Sequence, residues 1–139
     1  MRQLQAFLLT ALLVACTNAG KPGANTTDPF TVVEGPFRVH LATEPAGPRV
    51  GQQVTFTITV EDAASGTPSE NIEVRPIAEV TMPDQMGMMA RLSTPKQVGP
   101  GRFQTDAVFE HEGTLRFSVS IARESVVTPV SFPEIQVEP

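Results

Sequence analysis

The chain has 139 residues, with 10 basic and 15 acidic side chains and a formal charge of -5. That is enough chain for one modest core. An acidic balance without a cluster of Lys or Arg excludes a nucleic-acid binder, because neutralising phosphates needs grouped cations.

The N-terminus reads as an export signal. Arg2 gives a short basic start, Ala6 to Ala15 is an almost unbroken apolar run, and the run closes on Leu13-Val14-Ala15-Cys16. The run is too short to span a bilayer. Leu-Val-Ala-Cys resembles the bacterial lipobox at all four positions, so residues 1–15 are expected to be a cleaved signal peptide and Cys16 the lipidated residue. The alternative is an ordinary signal peptide that Ala15 also satisfies. Cysteine usage favours the lipid, since a disulfide-stapled exported domain carries an even number of cysteines and this chain has 1. Cleavage would remove Arg2 and make the rest still more acidic. Thr17 stands where an aspartate favours inner-membrane retention in many Gram-negative bacteria. In such a host the expected location is the outer membrane, facing the periplasm.

Residues 16–35 are rich in Thr, Asn, Gly, Pro and Ala and read as a flexible tether; residues 36–139 read as one folded domain. From Pro36 the apolar period is two, the period of a strand with one buried face. Phe37, Val39 and Leu41 alternate with polar or small residues, as do Val54, Phe56, Ile58 and Val60. Ile72, Val74, Ala78, Val80 and Met82 share one parity, with Pro76 marking an edge or a bend. Phe103, Ala107 and Phe109 follow, then Leu115, Phe117, Val119 and Ile121, then Val126, Val130 and Phe132, then Ile135 and Val137. Turn signals separate these segments at Glu44-Pro45 to Gly51, Ala64 to Pro68, Gly99-Pro100-Gly101 and Glu112-Gly113. No sustained helical period intervenes. The expected fold is all-β, an immunoglobulin-like antiparallel β-sandwich of about seven strands.

Catalysis finds little footing. The domain has no thiol and no tyrosine, only His40 and His111 titrate near neutrality, and no serine sits in a nucleophile-elbow pattern. His40 falls on the polar parity of its strand, where a solvated histidine is the ordinary reading. The chain is therefore read as no enzyme.

One segment departs from sandwich composition: Met82-Pro83-Asp84-Gln85-Met86-Gly87-Met88-Met89 holds four of the 5 methionines. Thioether sulfur is a soft neutral donor suited to Cu(I), and with thiols excluded, thioether and imidazole remain the durable ligands of an oxidising compartment. If a strand starts at Met86, then Met86 and Met88 share a face, with Met82 approaching across the Pro83-Asp84 turn. His111, at the end of the strand that starts near Phe103, could add an imidazole. The candidate metal ligands are Met82, Met86, Met88, Met89 and His111. The competing reading makes Met82 part of the buried parity and the other three fillers of an irregular core end.

Four stretches taken together, Gly51 to Val60, Met82 to Met88, Pro100-Gly101-Arg102-Phe103 and Glu112 to Val119, resemble YtkA-like domains, which look similar to FixH-like and CopC-like sandwiches. The resemblance spans about residues 36–123. It implies an exported, often lipid-anchored sandwich associated with copper or respiratory-oxidase biology. It places the family's loop methionines on Met82, Met86 and Met88 and its strand-start aromatic on Phe103. Met88 stands where many members have histidine, and Leu115 and Phe117 stand where Trp or Tyr is common.

Two functions remain open. One is a non-catalytic lipoprotein domain that binds or passes copper through the methionine loop. The other is an envelope scaffold that docks a transporter or respiratory-complex protein without metal, using the exposed apolar loop of an acidic domain.

Overall fold

The structure, a computed structural model, describes residues 28–83 and 85–139. Cys16, the signal segment 1–15 and the first part of the expected tether lie outside the described residues.

Ten strands form: β1 (Thr31–Glu34), β2 (Phe37–Glu44), β3 (Gln53–Asp62), β4 (Ile72–Thr81), β5 (Met88–Met89), β6 (Lys96–Gly99), β7 (Arg102–Val108), β8 (Gly113–Arg123), β9 (Val126–Ser131) and β10 (Ile135–Val137). No helix occurs among the described residues. One sheet has the order β1-β2-β3-β7-β6; the other has β10-β8-β4-β5, with β9 also on β8, and every strand pair is antiparallel. The fold is an immunoglobulin-like antiparallel β-sandwich.

The seven segments expected from period two became β2, β3, β4, β7, β8, β9 and β10; the three extra strands are edge pieces of 4, 2 and 4 residues. One of them corrects the domain boundary. Thr31–Glu34 lies in the stretch expected to be tether, yet it pairs with β2 from Thr31↔His40 to Glu34↔Phe37, and Phe30 and Val32 pack on the core. The folded unit therefore starts before Pro36. Adjacent Val32 and Val33 show no alternation, which hid the strand. Gly35, at φ 54, supplies the left-handed backbone of the two-residue turn. His40 is more engaged than a solvated residue: its Nδ1 lies 2.9 Å from Thr31 Oγ1 and 3.1 Å from Asp28 Oδ2, tying the incoming chain to β2.

The buried parities are those of the sequence except at Val126, which is 67% exposed at the start of β9. Phe37, Val39 and Leu41, then Val54 to Val60, face Val74, Ala78 and Val80, Leu115 to Ile121, Val130, Phe132, Ile135 and Val137. Phe56 stacks on Phe117 across the layers, with centroids 4.6 Å apart. Pro76 lies opposite Val119 on β8, while the other side of β4 is covered only at Glu79 and Val80 by β5. Ala78 turns its carbonyl to that side, accepting from Ala90 N at 2.8 Å. By alternation Pro76 turns its nitrogen to the same uncovered edge, where a missing donor costs nothing.

The two ends of the sandwich differ. At one end, Asp62 of β3 accepts from Arg123 Nη2 of β8 at 2.8 Å and from Ser69 Oγ at 2.7 Å, while the guanidinium lies 4.8 Å over the Phe37 ring. The Arg123 hydrogen bond first, and Ser69 second, hold the Asp62 carboxyl below the ordinary carboxylate range. A folded pKa below the unfolded one stabilises the protein above the unfolded value, and this contribution disappears as pH falls through the folded value. The unfolding free energy, followed by urea titration from about pH 5 to about pH 2, is thus expected to fall less steeply in Asp62→Asn than in the wild type. Equal slopes would remove this pair from the acid sensitivity.

The other end gathers the β2–β3, β4–β5 and β7–β8 connections. The chain leaves β10 at this end, where Glu138 N donates to Pro48 O at 2.9 Å.

Candidate functional site

Past Thr81 the chain leaves β4 through Met82 and Pro83, closes a turn in which Gln85 N donates to Met82 O at 3.3 Å, and returns as β5. β5 is antiparallel to the end of β4, with Met88 opposite Val80 and Met89 opposite Glu79. Directly paired residues share a face, so Met88 takes the inner face with buried Val80, and Met89 the outer. Gly87 sits so close over β4 that a Cβ there would collide with the Glu79 side chain.

The chain then crosses to the other sheet as a strap. Leu92 bridges to Ala107, Ser93 N donates to Asp106 O at 2.8 Å, and Asp106 N donates to Ser93 Oγ at 2.8 Å. Thr105 is buried, and its hydroxyl donates to Ser93 O at 2.7 Å. That bond accounts for a polar residue on the buried parity of β7. Across from the strap, Phe109 is buried after the end of β7, and its carbonyl accepts from Gly51 N at 2.9 Å.

These elements enclose a cleft of about 770 Å³ with an apolar floor of Val80, Ala107 and Phe109. Met82, Met88, Met89 and His111 all line it. Gln53, Arg91, Asp106 and Glu110 supply its polar wall. Asp106 is already engaged, accepting from Thr55 Oγ1 at 2.6 Å.

Four of the five residues expected as ligands thus meet at one cleft; Met86 does not. The strand begins at Met88 rather than Met86, so the expected shared face of Met86 and Met88 does not form. Met86 stands 89% exposed outside the lining. The core-filling alternative also fails for the loop: Met88 is 50% and Met89 65% exposed, and only Met82 is half-buried. His111 lies in the β7–β8 connection, since β7 stops at Val108. It reaches the cleft because that connection continues from the end of β7, where Ala107 to Glu110 already line it. Among the described residues, no three His, Cys, Asp or Glu side chains gather as a metal site. The soft-donor character of the cleft therefore comes from thioethers. Ser93 of the strap, which lines the cleft, and its partner Thr105 of β7 escaped the sequence because their pairing depends on where the crossover lands.

The class defined by this architecture is the immunoglobulin-like sandwich. No protein-family model matches the sequence. No curated protein matches it either. Among solved structures the chain is similar to a DUF4426 family protein from Pseudomonas aeruginosa PAO1, at 14% identity and a TM-score of 0.56, covering 78% of this chain and 96% of that one. It also matches the Lin-41 filamin domain at 14% identity and a TM-score of 0.47, covering 78% and 97%. The first likeness carries the fold.

Proposed function

We propose that this is a non-catalytic, lipid-anchored domain that holds Cu(I) in the cleft through Met82 and Met88, with His111 as an imidazole partner and Met89, on the opposite face of β5, at the rim. The observation that carries the reading is the lining itself: three methionines and one histidine along a single cleft at one end of the sandwich. Neutral soft donors select Cu(I) over harder divalent ions, and they need not shed a proton to bind. The lipobox at Leu13 to Cys16 supports export and anchoring, and Thr17 supports the outer membrane of a Gram-negative host. The likeness of Gly51 to Val60, Met82 to Met88 and Glu112 to Val119 to YtkA-like domains supports the association with copper.

Titrating the protein with Cu(I) against a competing chelator tests the site. Changing Met82, Met88 and Met89 to leucine is expected to weaken binding by at least the roughly 10- to 100-fold that losing an outer-shell partner costs a metal site. Unchanged affinity rules the cleft out as a holding site.

A second reading, an envelope scaffold without metal, is favoured by one specific observation: Met86, Met88, Met89 and Val108 are large apolar side chains exposed at one end of the molecule. A membrane-protein partner captured equally by the copper-free protein and by the leucine variant would support it.

A further inference from the structure

We infer that Met86 is the ligand through which copper is exchanged between the cleft and an outside partner, a residue that moves the ion without holding it. The inference rests on the copper reading above and assigns to Met86 a role that the cleft ligands do not have. The four loop thioethers are graded in exposure, from Met86 at 89% through Met89 at 65% and Met88 at 50% to half-buried Met82. The last three line the cleft and the first does not. Met86 is nevertheless only two residues from Met88, across Gly87, beside which the Glu79 side chain of β4 lies. β5 is paired to β4 at Met88 and Met89, and Met86 stands beyond that pairing.

A bare cation next to an apolar floor is costly, so an ion leaves such a cleft by gaining a new ligand before it gives up an old one. An exposed thioether beside the mouth supplies that intermediate bond. The step balances simply. One Cu–S bond to Met86 forms as one cleft bond breaks; each remaining cleft bond is then exchanged for a soft donor of the partner, a thioether or thiolate, and the last exchange replaces Met86. Copper stays Cu(I) throughout, no electron moves, and the thioether releases no proton. Because Met86 makes none of the resting bonds, its loss slows exchange and leaves affinity alone.

The test loads the full chain with Cu(I) under reducing conditions, mixes it with excess bathocuproine disulfonate, and follows formation of the coloured chelate, with affinity measured in parallel. Met86→Leu is expected to keep its affinity within about twofold while releasing copper about tenfold more slowly. Met86→His, which restores a donor, is expected to recover the rate. Met88→Leu is expected to lose affinity by about tenfold or more. Wild-type release from Met86→Leu overturns the inference, and so does an affinity loss matching that of Met88→Leu, which would make Met86 a holding ligand. Wild-type protein that binds no Cu(I) overturns the copper reading itself, an outcome separate from either of these.

Discussion

Replacing Phe117 with alanine is expected to lower the unfolding free energy by about 3–5 kcal/mol. The ring is buried in β8, stacked on Phe56 of the opposite sheet at 4.6 Å between centroids and tilted against Phe132 at 6.3 Å. Phe56 in turn meets Phe109 edge-on at 6.3 Å, which links the stack to the floor of the cleft. Truncation removes one of the two rings stacked across the layers and leaves a void that strands fixed by hydrogen bonds on both sides cannot easily close. Domains of this kind hold about 5–15 kcal/mol in total, so the variant would spend a large share of that reserve. Equilibrium urea unfolding measures it. Phe117→Leu, which keeps most of the volume, is expected to lose less than the alanine variant. An alanine variant within about 1 kcal/mol of wild type would show that the core closes around the gap and that the stack is not its centre.

The second large effect lies in the turn between β6 and β7. Gly101 has φ 63, and its carbonyl accepts from Val60 N at 2.7 Å. A Cβ at Gly101 would collide with the Val60 carbonyl oxygen and crowd Pro68 Cβ and Ser69 N. Two costs then add: about 1–2 kcal/mol for a left-handed residue with a side chain, and about 1–3 kcal/mol for overpacking against backbone that cannot step aside. Gly101→Ala is expected to lose about 2–5 kcal/mol. Gly66 provides the control, since it too is left-handed, at φ 69, yet has nothing within 4 Å of a Cβ. Gly66→Ala is expected to show the conformational cost alone, about 1 kcal/mol. Equal losses at the two positions would mean that the close approach at Gly101 carries no weight.

How much was legible in the sequence follows from how each part is held. The central strands were legible because each buries one face for most of its length: Val54, Phe56, Ile58 and Val60 are all buried, as are Leu115, Phe117, Val119 and Ile121. β1, β5 and β6 were not, because an edge strand of two to four residues needs only backbone partners and its side chains are free of the alternation rule. The same reason misplaced Met86. Composition marks a methionine cluster but does not say where a two-residue strand begins, and a shift of two positions moved Met86 from the cleft to open solvent. His111 depended on adjacency between β7 and β5, a property of the layer arrangement. Thr105 shares the inward parity of Phe103 and Ala107, but Ser93, which satisfies its hydroxyl, comes from a crossover whose landing point no local pattern marks.

β10 ends at the end of the sandwich that carries the methionine cleft, while Asp62, Ser69 and Arg123 close the other end. β10 and β5 stand at opposite edges of one sheet, so whatever holds the chain where it leaves β10 shares the cleft's end but not its edge, and it turns the Asp62 end outward. A label meant to leave the cleft unobstructed belongs on the far turn at Ser65 and Gly66, where a Cβ on Gly66 meets open space.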